Sequence, residues 1–552
     1  MRRLLAIAIA LVFCLSLLAS CNSDSGNNAS NAPDNNPSSA PSSSANTSTS
    51  PAPPTGVPVP TAGLPEMSAA PGVKYKAELD IISNNNKITV INPTLGGANQ
   101  DSACWVFNMI YDKLVVSNGD GTYTGVLAKS WETTDYKTFT LKLRDDVSFH
   151  NGEKLTAADF IYTIDVGKES VGMPVYDIWG SVQSATAADP YTLVIVLEDV
   201  DVDFFYRLSL PQAVVINEKA IQADPIKGYW IGTGCWKIED FSESDYVKFI
   251  RNDDYWGPPA ITERITLRYV EETSARLIQL LNGDCDICFM LEAEDIPKAL
   301  EDPAFELFNF INNNIQYIGF NMEHPVVSDL NFRMAVASAL DRQEMATYAF
   351  GIVAVPDTEG TFYGYQTEFR NHDIPIVPYD LDAAKEYLAA SPYKGETLEI
   401  ASAIITNILA AEVIQQQLRK IGIETDIKTM DPPSMAPYAQ YGSNQSTMVV
   451  YVGPQSLSAS SYRNLIYPES YYNRTSYNNP VVNEMLDRAR TVTDVNERSA
   501  LYKEIQEIVA QDPPYLSLFW LMSPIVGSKD IGGMVLSADS YFDLRYIYRT
   551  ID

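Results

Sequence analysis

Histidine is nearly missing from this chain: His150, His324 and His372 are the only three in 552 residues. That leaves little material for a His-built metal site or a His-based catalytic triad. Cysteine is sparse as well, six in all, which rules out a disulfide scaffold. Positive charge is in short supply, with 39 Lys and Arg against 70 Asp and Glu, a formal charge of −31. A chain this acidic repels phosphate backbones, which argues against nucleic acid as a partner. No apolar run reaches the ~18 residues of a membrane span. Catalytic signatures are missing too: there is no Gly-x-Ser-x-Gly, no His-Glu-x-x-His and no P-loop. Acidic pairs such as Asp145-Asp146 and Asp253-Asp254 are chain neighbours. In a strand such side chains point apart and make no acid/base couple. An enzyme is therefore not expected, nor a metal or cofactor.

What is present begins with an address. Met1-Arg2-Arg3 is a short basic stretch, and Leu4 to Leu18 is a nearly unbroken apolar run of 15 residues. That is short for a span of about 20 and right for the apolar part of a signal peptide. It ends in Leu18-Ala19-Ser20-Cys21. Small residues there suit any signal-peptidase site, but Leu at −3 with Cys at +1 resembles a bacterial lipobox. The expectation is a lipoprotein signal peptide over 1–20 and lipidation of Cys21. Asn22 to Gly72 holds 51 residues, of which 11 are Ser, 10 Pro, 7 Asn and 4 Thr, with no aromatic, Lys or Arg. Such a stretch buries too little apolar surface to offset its chain entropy, so 21–72 reads as a disordered tether between lipid and body.

From about Val73 the apolar period alternates between two and 3.6, the pattern of a mixed α/β body. Strands are expected at Thr138–Arg144, Tyr191–Leu197, Ile423–Ile427 and Tyr515–Trp520, and a turn at Asn151-Gly152. Helices are expected from Thr156 as N-cap, over Ala410–Lys420, Val482–Ala489 and Glu497–Ala510. Trp131 and Phe149 read as core, and Gly152, Gly232, Gly234 and Gly257 as turn residues. Gly232-Thr-Gly234 lacks the later glycine of a dinucleotide loop. Cys285-Asp-Ile-Cys288 has CxxC spacing, but in a strand i and i+3 face opposite ways. Buried thiols or one long-range disulfide among Cys104, Cys235, Cys285 and Cys288 remain the two readings.

Several segments, in order, resemble one family. They are Tyr111-Asp-Lys-Leu-Val, Leu127-Ala-Lys-Ser-Trp131-Glu and the run Phe139 to Phe160. Gly232-Thr-Gly-Cys-Trp-Lys, Asn252-Asp-Asp-Tyr-Trp-Gly257, Asn282-Gly-Asp-Cys-Asp286-Ile and Tyr317-Ile-Gly-Phe-Asn321 follow. Asp329 with Arg333 to Arg342, Gln417 to Ile423 and Asp512-Pro513 close the series. Together they resemble the extracytoplasmic solute-binding proteins of ABC importers, of the peptide-binding (family 5) type. The resemblance implies a two-lobed α/β fold of the periplasmic-binding-protein (type II) kind with hinge crossovers. The first lobe would be discontinuous, over 73–118, 210–312 and 516–552. A small subdomain would cover 119–209, and the second lobe 313–515. It also implies a small solute, an oligopeptide first of all, held between the lobes, a membrane permease as partner, and a monomer outside the cytoplasm, lipid-anchored to the cell membrane. The same fold holding an oligosaccharide is the nearest alternative; an extracellular hydrolase or a surface receptor is the alternative of another class.

By matching to that family, the cleft candidates are Gly97, Ala98 and Asn99 on the first lobe and Tyr176 and Trp179 on the subdomain. Met290, Tyr317, Asn321 and Trp520 lie by the crossovers, and Tyr451, Val452 and Gly453 on a second-lobe strand. Phe362, Tyr363 and Tyr365, between Gly360 and Gly364, form an aromatic loop that could stack on a ligand. Relatives that grip a peptide's α-ammonium carry an acid in a pattern like Gly-Trp-x-Ala-Asp-Tyr. Here the match is Val449-Val-Tyr451-Val-Gly453-Pro454-Gln455-Ser456, with Pro454 or Gln455 where the acid belongs. A buried ammonium without a counter-charge costs several kcal/mol. Either another acid supplies the charge or N-terminal blocking changes affinity little.

Overall fold

The computed structural model describes residues 70–84, 88–95, 101–118, 121–360, 369–453, 459–468, 470, 472–536 and 542–551. Its largest element is an eleven-stranded mixed sheet. From one edge the order is Thr425–Thr429, Leu398–Ser402, Met448–Val452, Phe305–Phe320, Tyr515–Ser528, Ile287–Phe289, Glu78–Ser83, Arg264–Tyr269, Tyr246–Arg251 and Trp236–Ser242. The short strand Ala354–Pro356 pairs with Tyr515–Ser528 off this path. Three parallel strands make one end, Leu398–Ser402 lying between the other two. At the other end Glu78–Ser83 is parallel to both its neighbours.

Two long strands join these ends. Phe305–Phe320 (16 residues) and Tyr515–Ser528 (14 residues) run antiparallel across the middle, the first outgoing and the second returning. Their register shifts between Ile311 and Ile315 and again at Gln316/Tyr317. Such bulges bend a strand and increase its twist, which places the bend between the two halves of the sheet. The expected strand Tyr515–Trp520 runs on to Ser528. Pro524 sits inside it without an N–H to give, a residue that argues against strand when read locally.

Each half has its own core. Leu79, Ile81, Trp105, Trp236, Phe249 and Leu267 share one with Phe289 and Ile525. The other half is covered on both faces: Phe332, Ile400, Ile414, Leu418 and Phe519 pack on one, Tyr317, Tyr462, Tyr502, Tyr515 and Trp520 on the other. Each such side chain contributes about 1.5–3 kcal/mol on burial. The four-stranded sheet Ala128–Glu132, Thr138–Leu143, Thr192–Leu197, Val182–Asp189 is separate and has its own core around Phe139, Leu193, Phe204 and Trp179. Phe149 is buried in that core and Trp131 packs against it. The helix Ala157–Glu169 starts at Thr156 through a capping box with Asp159, and Gly152 takes φ 85° in the turn after Asn151.

Most of the recurring segments build scaffold. Asp112 is the clearest case: its Oδ1 accepts from Tyr255 Oη at 3.0 Å and its Oδ2 from Trp256 Nε1 at 2.9 Å, while its own N–H donates to Thr233 Oγ1 at 3.1 Å. Three distant segments thus meet on one buried carboxylate. Gly232 and Gly234 are there for close approach and not for a turn. A Cβ would lie 2.0 Å from the Ile110 carbonyl oxygen at the first and 2.4 Å from that of Met109 at the second. Arg333, on Leu330–Ala339, donates to the Pro513 carbonyl at 2.7 Å and pairs with Asp512, so that segment too is a brace. Among the described residues no helix is long and apolar enough to cross a membrane.

All four described cysteines are free and buried. Cys285 precedes the three-residue strand Ile287–Phe289, so strand alternation does not reach it, and both CxxC thiols join one small cluster instead of facing apart. Burial pushes the Cys285 thiol up to about 12, which makes it inert. Cys21 and the tether, but for its last residues 70–72, lie outside the described residues.

Candidate functional site

The crossover strands carry a buried cluster of charged and aromatic side chains. Trp520 sits at their centre, opposite Ile315 on one side and Val355 on the other. It is 1% exposed, and its Nε1 donates to Asp357 Oδ1 at 3.3 Å. The Arg370 guanidinium lies over the indole, 5.1 Å from the ring centroid. Arg370 in turn donates from Nη2 to Asp357 Oδ1 at 3.2 Å and from Nε to Glu359 Oε2 at 2.5 Å. His372 Nδ1 lies 3.1 Å from Glu359 Oε1. The backbone completes the frame: Asp357 N donates to the Leu518 carbonyl at 3.0 Å, and Arg342 Nε to the Ser517 carbonyl at 2.8 Å.

Burial dominates the charges here. Desolvation raises the Asp357 carboxyl above its ordinary range, against the pull of Arg370, Ser517 and Trp520. Burial pushes Arg342 down to about 10. Glu359 is also penalised by burial, but Arg370 and His372 outweigh it and hold its carboxyl low. Among the described residues two buried acceptors in this region have no hydrogen-bond partner: Asp357 Oδ2 and, on the outgoing crossover, Gln316 Oε1.

The other expected residues fall into three groups. Tyr451, Val452 and Gly453 end a strand whose neighbour is the outgoing crossover: Tyr451 opposes Tyr317, and Gly453 N donates to the Ile315 carbonyl at 2.7 Å. Tyr451 is half-buried, with the Arg474 guanidinium 5.8 Å from its ring centroid. Met290 leaves Ile287–Phe289 with φ 58°, in the left-handed region that non-glycine residues seldom adopt, and Arg276 Nη2 holds its carbonyl at 3.0 Å. Tyr176 is half-buried on the subdomain helix Pro174–Trp179.

Three candidates have packing or bracing roles where a cleft surface was expected. Trp179 is fully buried in the subdomain core, edge-on to Phe204, in a slot opened by Gly167 whose Cβ would meet it at 2.4 Å. Tyr317 packs at a tilt against Tyr515 with centroids 5.8 Å apart, and burial raises its hydroxyl pKa. Asn321 brackets a loop, donating from Nδ2 to the Ser446 carbonyl at 2.8 Å and accepting the Glu323 N–H at 3.0 Å. Gly97, Ala98, Asn99, Phe362, Tyr363, Tyr365, Pro454 and Gln455 lie outside the described residues. Asp357, Glu359, Arg370 and Gln316 were not anticipated. The three charged residues gave a weak signal, since charges flanking a glycine-rich loop ordinarily read as solvent-facing, and Gln316 lies within the outgoing crossover strand. No group of three or more His, Cys, Asp or Glu among the described residues is placed to hold a metal ion.

Known proteins agree with this architecture. The chain is 24% identical over 492 residues to the glutathione-binding protein GsiB of Escherichia coli K12, covering 85% of this chain and 94% of that one. The substrate-binding protein CtaP of Listeria monocytogenes superimposes with a TM-score of 0.77 at 22% identity, over 87% of this chain and all of CtaP. The oligopeptide-binding protein AppA of Bacillus subtilis, solved with a nonapeptide, gives 0.68 at 20% identity over 87% of this chain and all of AppA. These neighbours are two-lobed solute-binding proteins of ABC importers, and the fold is theirs. The profile of the bacterial extracellular solute-binding proteins, family 5, matches residues 122–474, and the chain belongs to that family.

Proposed function

We propose that this protein is the lipid-anchored substrate-binding subunit of an ABC importer, that it captures an oligopeptide between two lobes, and that it hands the peptide to a membrane permease. The observation that carries the reading is the pair of bulged crossover strands linking two separately cored halves of one sheet. Such a hinge works by closure around a solute and needs no chemistry on it. The core clusters support lobes at 73–118 with 210–312 and 516–552, and at 313–515, with the subdomain at 119–209. A peptide is favoured because relatives of the same fold were solved in complex with a nonapeptide and with the peptide STSA, and because of the glutathione-binding relative. Tyr451, Val452, Gly453, Met290, Trp520 and Tyr176, with Gly97, Ala98 and Asn99, are the proposed cleft residues. The anchor is Cys21, the residue behind Leu18-Ala-Ser.

Mass spectrometry of the solute that co-purifies with the protein tests the ligand. Peptides are expected, and an oligosaccharide in the cleft would overturn the assignment. Metabolic labelling with a fatty-acid probe tests the anchor: wild type should label and Cys21→Ala should not, while equal labelling would refute lipidation.

A further inference from the structure

We propose that Asp357 is the counter-charge for the solute's α-ammonium, taking over the role that the second-lobe strand leaves vacant at Pro454 and Gln455. This inference rests on the oligopeptide reading above and names the group that recognises one end of the peptide.

Asp357 is 4% exposed, and its two oxygens are used unequally. Oδ1 accepts from Arg370 Nη2 at 3.2 Å and Trp520 Nε1 at 3.3 Å, while Oδ2 has no hydrogen-bond partner among the described residues, the Ser517 hydroxyl being a further group that pulls on the carboxyl. A buried carboxylate oxygen with no donor is a costly feature that folded proteins seldom keep without a use. An ammonium brings three N–H donors and a full positive charge, which is what a buried carboxylate oxygen needs. The position is right as well. Asp357 follows directly on Ala354–Pro356, the strand paired to the returning crossover at Trp520, so it stands where the two halves of the sheet meet.

The charges around Asp357 balance as they stand, so what the cluster offers a further donor is an oxygen and not a surplus charge. Two carboxylates, Asp357 and Glu359, stand against two guanidiniums, Arg370 and Arg342, with His372 on the far side of Glu359. Arg370 is already committed to Glu359 at 2.5 Å and lies on the Oδ1 side of Asp357. Glu359 is therefore neutralised within the cluster, and Asp357 is the carboxylate with a vacant oxygen. The net charge of −31 over the whole chain adds a long-range field that draws cations in. Because Oδ2 is sealed from solvent here, the ammonium reaches it when the crossover strands that carry Trp520 bend open.

The test is calorimetry on tri-, tetra- and pentaalanine, each with a free and with an acetylated N-terminus. Wild type should bind the free peptides at least tenfold more tightly than the acetylated ones. In Asp357→Asn that ratio should fall to within twofold, while Glu359→Gln should keep it, with folding of each variant checked by circular dichroism. A second readout needs no variant. A carbodiimide couples amine to carboxylate without a spacer, so a bound free peptide should be joined by an amide bond to the Asp357 side chain, with loss of water, as located by mass spectrometry. Equal affinity of free and acetylated peptides, an unchanged ratio in Asp357→Asn, or coupling to a different acid would overturn the assignment of Asp357 and leave the peptide reading standing. If no peptide binds in either form, the oligopeptide reading itself fails, and this inference with it.

Discussion

Arg545 and Arg370 are both buried arginines set against an aspartate, one in the first half of the sheet's fold and one at the crossover. Around Arg545 every carboxylate oxygen is used. Asp543 Oδ1 accepts from Arg545 Nε and from its backbone N–H, Asp543 Oδ2 accepts from Nη2 at 2.5 Å, and both oxygens of Asp112 accept from Tyr255 and Trp256. The pairing outweighs the burial penalty and lowers the Asp543 carboxyl. Around Arg370 the corresponding Asp357 keeps one oxygen empty, and burial raises its carboxyl. A closed network of this kind welds segments together, and an open one has a place for a further donor. The same residue types therefore serve assembly in one half and, by our proposal, capture at the other.

The largest expected effect tests the closed cluster. Asp543→Asn leaves a buried guanidinium short of its main counter-charge, and breaking such a pair costs about 3–5 kcal/mol. Urea unfolding should show the loss as a lower midpoint with an unchanged slope. A change of under about 1 kcal/mol would mean that Asp112, 3.9 Å from Arg545, suffices alone. Next comes Gly234→Ala, beside the same cluster. Its methyl would lie 2.4 Å from the Met109 carbonyl oxygen, and overpacking against backbone costs about 1–3 kcal/mol.

That close approach also shows what could be read from the sequence and what could not. The α/β periodicity, the N-cap at Thr156 and the order of motifs all lie in local stretches, and local stretches are legible. The purpose of the motifs is not, because it depends on partners far along the chain. Tyr255 and Trp256 reach Asp112 across more than a hundred residues, which no window on the sequence displays. Trp179 was mistaken for a cleft residue because its partner, the slot at Gly167, belongs to another helix. Asp357 and Arg370 escaped notice because charges in a loop are ordinarily solvated, and it is their packing against Trp520 of the returning strand that accompanies their burial.

His150, next to Phe149 of the four-stranded sheet's core, bonds to the Gly232–Gly234 segment and makes the closed side sensitive to acid. Its Nε2 lies 3.0 Å from the Gly234 carbonyl oxygen, and its Nδ1 accepts the Gly232 N–H at 3.3 Å, so the ring is held neutral with the proton on Nε2. Burial pulls its pKa down to about 4. The unfolded chain takes up this proton below about 6.5 and the folded chain only near 4, so stability is full above pH 6.5 and falls as the pH drops between these values. The contribution is about 2 kcal/mol once partial exposure is allowed for. His150→Gln should flatten the dependence of melting temperature on pH in that window; an unaltered slope would assign it to other groups.

The smallest stability effect is expected at the open cluster, and it is the sharpest test of the comparison. Asp357→Asn keeps an oxygen in place for Arg370 and Trp520, and Arg370 keeps Glu359 at 2.5 Å. What is removed is a negative charge that burial already opposes, together with an oxygen that has no hydrogen-bond partner among the described residues. The unfolding free energy should therefore drop by only about 1 kcal/mol, against about 3–5 for Asp543→Asn. Both variants remove the charge of a buried aspartate beside an arginine, so the contrast isolates how completely each network is closed. A loss at Asp357 as large as that at Asp543 would show that the crossover cluster is also a structural weld, with its stabilisation carried by the charge itself. A small loss, alongside the weakened preference for a free N-terminus, would separate the two arginines into one that holds the fold and one that stands beside the ligand.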